Sequence, residues 1–151
     1  MLLTILEQKP IDSIAVKLSD GEAYSYQDLI NLVDAMASKL SGHGVKPGMV
    51  INIVIENSIE FLISFLSVTR CGAIAAPLNP TYTVSEFNFY IEDANSAYLI
   101  VKDLGNPSVA AVQNTDVSVM QVGVSKTGVV LSDLKGELTH SREPENVEDE
   151  A

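Results

Sequence analysis

The apolar run from Val50 to Ile55, interrupted only by Asn52, is the strongest structural signal in the chain. A run without apolar–polar alternation, rich in isoleucine, is typical of a strand that is covered on both faces, as in a parallel sheet. After it, apolar residues fill almost the whole perimeter of a helix predicted to start at about Ser58 and to be mostly buried. Gly72 suits the end of that helix, and Ala73 to Leu78 predicts a second strand. The pattern therefore predicts one right-handed strand–helix–strand unit.

The predicted central helix has two local features. Asn57 offers a side-chain oxygen to the first free amides, and Glu60 is placed to reach back as in a capping box. A narrow stripe of small or polar residues runs along the otherwise apolar helix and consists of Glu60, Ser64, Ser67 and Cys71.

A hairpin and an amphipathic helix are predicted before the central unit. The Asp20-Gly21 pair lies between two short β-prone runs, Ile14 to Leu18 and Ala23 to Ser25, which is a good hairpin signal. Ser25 and Asp28 form a capping pair for the next helix, which Gly42-His43-Gly44 ends. Its apolar positions repeat every three or four residues, so we expect it to be half exposed; they are Tyr26, Leu29, Ile30, Val33, Met36, Ala37 and Leu40.

Helix and strand signals continue to alternate after the central unit. Thr83 to Glu86 fits a capping box, and Asn95-Ser96 ends the third helix. Its predicted buried face comprises Val84, Phe87, Tyr90, Ile91 and Ala94. The remaining predicted elements are a strand at Tyr98 to Val101, a short helix at Ser108 to Gln113, and strands at Val117 to Val122 and Val129 to Leu131. This order predicts an α/β fold with a partial doubly wound, mainly parallel sheet and flanking helices.

Composition and charge narrow the class of protein. At 151 residues, with 46% apolar and 19% charged, the chain fits one globular domain. No apolar run approaches the roughly 20 residues of a membrane span, and the short apolar patch at Met1 to Leu6 lacks the features of a signal peptide. A cytoplasmic compartment is therefore the default expectation, and a single cysteine forbids an internal disulfide framework.

The acidic charge excludes one class of partner. Nine basic residues stand against twenty acidic ones, a net charge of −11, whereas nucleic acid binding requires clustered Lys and Arg. The acids are concentrated after residue 136. We expect residues 1–135 to form the folded unit and 136–151 to be an acidic, disordered tail.

Two glycine-rich stretches superficially resemble nucleotide-binding loops. Gly42-His43-Gly44 with Gly48 ends a helix and leads into a strand, whereas a dinucleotide fingerprint follows a strand and opens a helix. The segment from Gly123 to Gly128 has the residues of a phosphate loop in the wrong order, which favours a polar turn. We therefore assign neither stretch to a cofactor.

Other residues capable of chemistry are isolated in the sequence. His43 and His140 have no second ligand at metal spacing, and Cys71 follows a helix C-terminus, where the dipole disfavours a thiolate. Glu60 and Arg70 are charged residues on the most buried helix and are interpreted as a capping residue and an exposed last turn. We assign no catalytic, cofactor-binding or metal-ligating residue to this chain.

Several segments together carry a family resemblance. They are Leu29 to Leu40, Gly44-Val45-Lys46-Pro47-Gly48, Val50 to Ile55, Asn57 to Phe61, Gly72-Ala73, Pro77-Leu78-Asn79-Pro80 and Thr83 to Glu86. Their order and spacing resemble the amino-terminal region of the adenylate-forming, AMP-binding acyl-CoA synthetases. Ala75 to Asp93 is most similar to the 4-coumarate–CoA ligase-like branch, and within it to the oxalate–CoA ligases. Met49 departs from the usual Asp after the Pro-Gly turn.

The resemblance implies a two-step reaction. ATP and a carboxylate give an acyl-adenylate and pyrophosphate, and coenzyme A then displaces AMP, with magnesium neutralising the phosphates. The family's phosphate loop ending in Pro-Lys-Gly, its aromatic-Gly-x-Thr-Glu motif, its ribose-binding Asp and its late Lys have no counterpart in these residues. The resemblance also makes a peroxisomal location possible besides the cytoplasmic one.

Three hypotheses remain open. The chain is the N-terminal scaffold portion of an acid–CoA ligase and is inactive alone, or it is a non-catalytic interaction module. In the second case it pairs with a full-length ligase or with itself, as the apolar perimeter of the central helix suggests. In the third it is a marginally stable product without a role.

Overall fold

The computed structural model describes residues 13–134, which form seven strands and four helices. An antiparallel hairpin of β1 and β2 precedes the first helix, and the remaining elements build the main sheet. The bounds are β1 Ile14–Lys17, β2 Ala23–Ser25, α1 Tyr26–His43, β3 Val50–Val54, α2 Ile59–Arg70, β4 Ile74–Pro77, α3 Val84–Ala94, β5 Tyr98–Val101, α4 Pro107–Ala111, β6 Ser118–Ser125 and β7 Gly128–Asp133. The predicted tail and the boundary at residue 135 lie outside the described residues.

The main sheet has five strands in the order β4-β3-β5-β6-β7. The first three pairings in this order are parallel, and β6 and β7 form an antiparallel hairpin. The predicted α/β fold with a mainly parallel sheet and flanking helices is confirmed. As predicted, β3 is buried, and it occupies the second position in the sheet.

The helices divide between the two faces of the sheet. The buried residues of α1 and α2 pack against Ile51, Ile53 and Ile100 in one cluster. Those of α3 and α4 pack against Val54, Leu99 and other residues in a second cluster on the opposite face. This division follows from right-handed crossovers, because the connection from β3 to β4 runs in one direction along the sheet and the next two run in the other.

Asn52, the polar residue that interrupts β3, is 1% exposed and hydrogen-bonded. Its Nδ2 donates to the carbonyl oxygen of Ala76 on β4 at 3.0 Å, and its Oδ1 accepts from the hydroxyl of Ser96. A buried amide that is satisfied in this way stabilises the sheet, whereas an unpaired one would destabilise it.

The small residues of α2 lie against α1. The Ser67 hydroxyl donates to the carbonyl oxygen of Val33 at 3.4 Å, and the Cys71 thiol contacts the carbonyl oxygen of Ala37 at 3.5 Å. Short side chains let the two helices approach closely enough for these contacts to form. Cys71 is therefore a packing residue, as the sequence indicates.

The caps of α1 and α3 match the sequence prediction, and the cap of α2 does not. Capping boxes form at Ser25 and at Thr83, each with the acidic side chain three residues later. At α2 the cap is Ser58, whose hydroxyl accepts from the amide of Phe61 at 3.2 Å. The prediction of Asn57 was wrong by one residue, and Glu60 is consequently at the second helical position, from which the capping-box geometry does not form.

The predicted buried face of α3 is only partly correct. Phe87 and Ile91 are buried, but Val84 is 46% exposed and Tyr90 is 40% exposed. The Asn88 side chain donates to the carbonyl oxygen of Ala111 at 3.3 Å, so α4 packs on that flank of α3, whereas Tyr90 lies on the other flank and stacks on Tyr82.

The segment from Gly123 to Gly128 contains less turn than predicted. Its first three residues belong to β6 and Gly128 begins β7, so that only Lys126 and Thr127 make the turn. Both strands extend beyond their predicted ends.

None of the helices in residues 13–134 combines the length and the apolar character that a membrane span requires.

Candidate functional site

The topology places a crevice where the carboxyl ends of β3 and β5 meet. These parallel strands are neighbours, yet the chain leaves β3 toward α2 on one face and leaves β5 toward α4 on the other. In open α/β sheets such a switch point is the usual place for ligands, because the diverging connections leave a gap at the strand ends.

A cleft of about 390 Å³ occupies this switch point. Glu56 follows β3, Lys102 and Asp103 follow β5, and Gln121 comes from β6. The Gln121 side chain donates to the carbonyl oxygen of Lys102 at 3.2 Å, and the Asn106 side chain donates to that of Pro80 at 3.0 Å. The two amides thus hold the loops that line the cleft.

A second cleft of about 580 Å³ adjoins the first and lies between the β1–β2 turn and the start of α2. Lys102 lines both clefts, and its Nζ is 3.5 Å from Oε1 of Glu60. The Glu60 side chain is 12% exposed and that of Lys102 is 46% exposed. The Lys102 ammonium group therefore forms an ion pair with a carboxylate that is more buried than itself.

Tyr24 forms part of the wall of the larger cleft and is almost fully buried. Burial raises the pKa of its hydroxyl, and the negative charges of Glu22 and Glu60 raise it further. Lys126 lies over the ring, with its Nζ 5.8 Å from the centroid. The hydroxyl stays protonated at neutral pH and is not a general base.

Acids outnumber bases around the two clefts. Lys17 and Lys102 contribute positive charge, whereas five carboxylates line the same space: Asp20, Glu22, Glu56, Glu60 and Asp103. A polyphosphate needs hydrogen-bond donors and cations that converge on it. These side chains therefore do not fit a nucleoside triphosphate. No group of three or more His, Cys, Asp and Glu residues in the described part of the chain is arranged to hold a metal ion.

Of four residues that the sequence analysis singled out, Glu60 lies apart from the other three. Glu60 is at the carboxyl end of the sheet, whereas Arg70, Cys71 and His43 are at the opposite ends of their helices. Arg70 pairs with Asp34 at 3.2 Å, so it is not simply an exposed last turn. The structure does not bring these four together, and His140 lies outside the described residues.

His43 and its glycines perform the structural role that the sequence indicates. Gly44 adopts φ 110° and ends α1 in the left-handed conformation. Nδ1 of His43 is 3.7 Å from Oδ2 of Asp133, which connects the end of α1 to β7.

The sequence analysis missed the crevice and the Glu60–Lys102 pair. A usable signal was present, because Glu56 and Lys102 each follow a predicted strand of a parallel sheet closely, and such ends share one edge. What was missing was the strand order that makes β3 and β5 neighbours.

Comparison with known proteins finds AMP-binding enzymes and CoA ligases. A family model described as AMP-binding enzyme matches residues 4–151. An oxalate–CoA ligase from Arabidopsis thaliana is 37% identical over 118 residues, covering 72% of this chain and 23% of that protein. A probable CoA ligase from Humulus lupulus is 40% identical over 94 residues, covering 62% of this chain and 18% of the relative.

Solved structures also share the fold of this chain. Apo MatB from Rhodopseudomonas palustris superposes with a TM-score of 0.69 at 25% identity, over 80% of this chain and 25% of that one. VinN superposes with a TM-score of 0.70 at 26% identity, over 78% of this chain and 30% of that one. The chain thus spans less than a third of the length of each of these relatives. Because the family model covers nearly the whole sequence, the chain belongs to the family of AMP-binding enzymes.

Proposed function

We propose that this chain is the N-terminal scaffold portion of an ATP-dependent carboxylic acid–CoA ligase of the oxalate–CoA ligase-like branch. The observation that carries the proposal is the 37% identity to the Arabidopsis oxalate–CoA ligase over 72% of this chain, together with the shared fold. In the complete ligase the reaction forms an acyl-adenylate and then an acyl-CoA. We place this ligase in the cytoplasm or in peroxisomes.

We also propose that the chain does not catalyse this reaction by itself. Its switch-point clefts have an excess of carboxylates, and Lys102 is already paired with Glu60. ATP, magnesium and coenzyme A would have to be held by residues that a complete ligase adds. Since positioning and charge stabilisation supply most of the rate in phosphoryl chemistry, we expect no turnover from the scaffold alone.

A graft experiment tests the scaffold role. The 118-residue matching segment of the Arabidopsis oxalate–CoA ligase is replaced by the aligned residues of this chain, and oxalate-dependent pyrophosphate release is measured with ATP, magnesium and coenzyme A. We expect release from the graft and none from this chain alone. A graft that unfolds cooperatively but releases no pyrophosphate would contradict the scaffold role, and turnover by the isolated chain would contradict its inactivity.

A second candidate function is that of a non-catalytic interaction module that pairs with a full-length ligase. The sequence analysis based this idea on the central helix, but α2 contributes none of the strongly exposed large apolar residues of the described chain. The specific observation that favours it is on α3, where Val84, Phe89 and Tyr90 are exposed. Sedimentation of the chain with the full-length Arabidopsis ligase tests this role; a mixture that sediments as two independent species would exclude it.

A further inference from the structure

Three aromatic side chains form a connected cluster at α3, in which Phe89 and Tyr90 are exposed and Tyr82 is half-buried against Phe87. The rings of Tyr82 and Tyr90 stack with centroids 5.2 Å apart and planes 21° apart. The ring of Phe89 meets that of Tyr90 edge-on, also at 5.2 Å. Phe89 is 61% exposed, because it lies on the side of α3 opposite the buried Phe87 and Ile91. We call Tyr82, Phe89 and Tyr90 the α3 aromatic face.

Carboxylates surround this face. Residues three and four positions apart are neighbours on a helix, and three such neighbours of Phe89 are Glu86, Glu92 and Asp93, all of them exposed. Glu86 accepts from the amide of Thr83 in the capping box. Among residues 13–134, Glu92 and Asp93 have no ion-pair partner, and α3 itself contains neither lysine nor arginine.

Stacked aromatic rings with a carboxylate rim suit an arginine side chain. A guanidinium group lies flat on an aromatic ring, gains from its quadrupole and offers a fork of donors to a carboxylate. Lysine matches the charge but not the planar stacking. An apolar residue beside the arginine would cover Phe89, and Tyr, Phe and Arg are the residues that interface cores favour.

We propose that the α3 aromatic face binds an arginine-bearing segment of another polypeptide chain. A second copy of this chain fits poorly, because the face is acidic and the whole chain carries −11. The proposal deepens the interaction-module role, on which it rests, and is independent of adenylation.

The test uses the full 151-residue chain with isotope-labelled tyrosine and phenylalanine rings. The probe is a blocked pentapeptide of alternating leucine and arginine, titrated and followed by nuclear magnetic resonance. Matched peptides carry lysine or citrulline in place of arginine. We expect saturable shifts of the Tyr82, Phe89 and Tyr90 rings with the arginine peptide, and unchanged signals from the buried Tyr24.

Substitutions on the face then separate stacking from general charge attraction. Tyr90→Ala should weaken binding of the arginine peptide about fivefold, a typical cation–π contribution. Val130→Ala is the control, because Val130 is 67% exposed on β7, away from α3. Equal binding of the lysine peptide, an unaltered affinity of Tyr90→Ala, or no saturable shift at millimolar peptide would each overturn the proposal. If the ligase sediments with the Phe89→Ala variant as it does with the unsubstituted chain, the module role stands and this site does not.

Discussion

Two serines on α2 offer a matched test of how this helix packs. Ser64 and Ser67 are both fully buried. The Ser67 hydroxyl donates to the carbonyl oxygen of Val33 on α1, whereas the Ser64 hydroxyl has no partner in the structure. Replacing either serine with alanine removes one hydroxyl oxygen from α2. The removed hydroxyl is hydrogen-bonded at Ser67 and has no partner at Ser64.

The two substitutions should affect stability differently. A buried hydroxyl without a partner costs about 1 kcal/mol or more, so Ser64→Ala should raise the free energy of unfolding by about that amount. Ser67→Ala loses a long hydrogen bond, which is worth about 0.5 kcal/mol. The higher helix propensity of alanine favours both variants equally and cancels in the comparison. We expect Ser64→Ala to be more stable than Ser67→Ala by about 1.5 kcal/mol.

Urea unfolding followed by far-UV circular dichroism measures this difference. With a slope of about 1.5 kcal/mol per molar urea, the two midpoints should differ by about 1 M. Equal midpoints, or a lower midpoint for Ser64→Ala, would contradict this reasoning. Such a result would mean that the Ser64 hydroxyl has a hydrogen-bond partner in solution, or that the bond from Ser67 to Val33 does not form.

Four further substitutions give three predictions about the cap residues of α1 and the core. The backbone amide at the N-cap of α1 lowers the pKa of Asp28, so its stabilising effect is present above the unfolded pKa of about 4 and disappears as the pH falls through the lower folded value. Asp28→Asn should therefore reduce the unfolding free energy by about 0.5–1 kcal/mol at pH 7 and leave it unchanged near pH 2; an equal loss at both values would contradict this, as read by urea midpoints. Gly44→Ala places a methyl group 2.9 Å from the hydroxyl of Tyr98 at φ 110°, so thermal unfolding should show a loss of about 2 kcal/mol, and an unaltered transition would argue against the left-handed cap. Phe87→Ala should cost about 3–5 kcal/mol and Phe89→Ala about 0.5 kcal/mol or less in the isolated chain; similar losses would place both rings in the core.

Local signals predicted most of the fold correctly. The capping boxes at Ser25 and Thr83 depend on residues three positions apart, and the apolar run of β3 identifies a buried strand without knowledge of its neighbours. The cap of α2 was missed because Asn57 and Ser58 are adjacent and both competent. The local sequence does not select between them, and in the structure Ser58 is the cap.

The candidate site depended on relations that the sequence does not express locally. The exposure of Tyr90 follows from the position of α4 on the opposite flank of α3, and the contact of Glu60 with Lys102 follows from the position of β5 beside β3. Both depend on how elements that are distant in the sequence pack against one another. The family resemblance supplied the reaction but assigned none of these residues.

We propose that this chain supplies an adenylation scaffold and does not by itself bind a nucleoside triphosphate. Titration of magnesium–ATP into the 151-residue chain, followed through the backbone amide signals of the β3 and β5 carboxyl ends, tests it most directly. We predict no saturable change at Glu56, Glu60 or Lys102. Saturable shifts at these residues would contradict the claim.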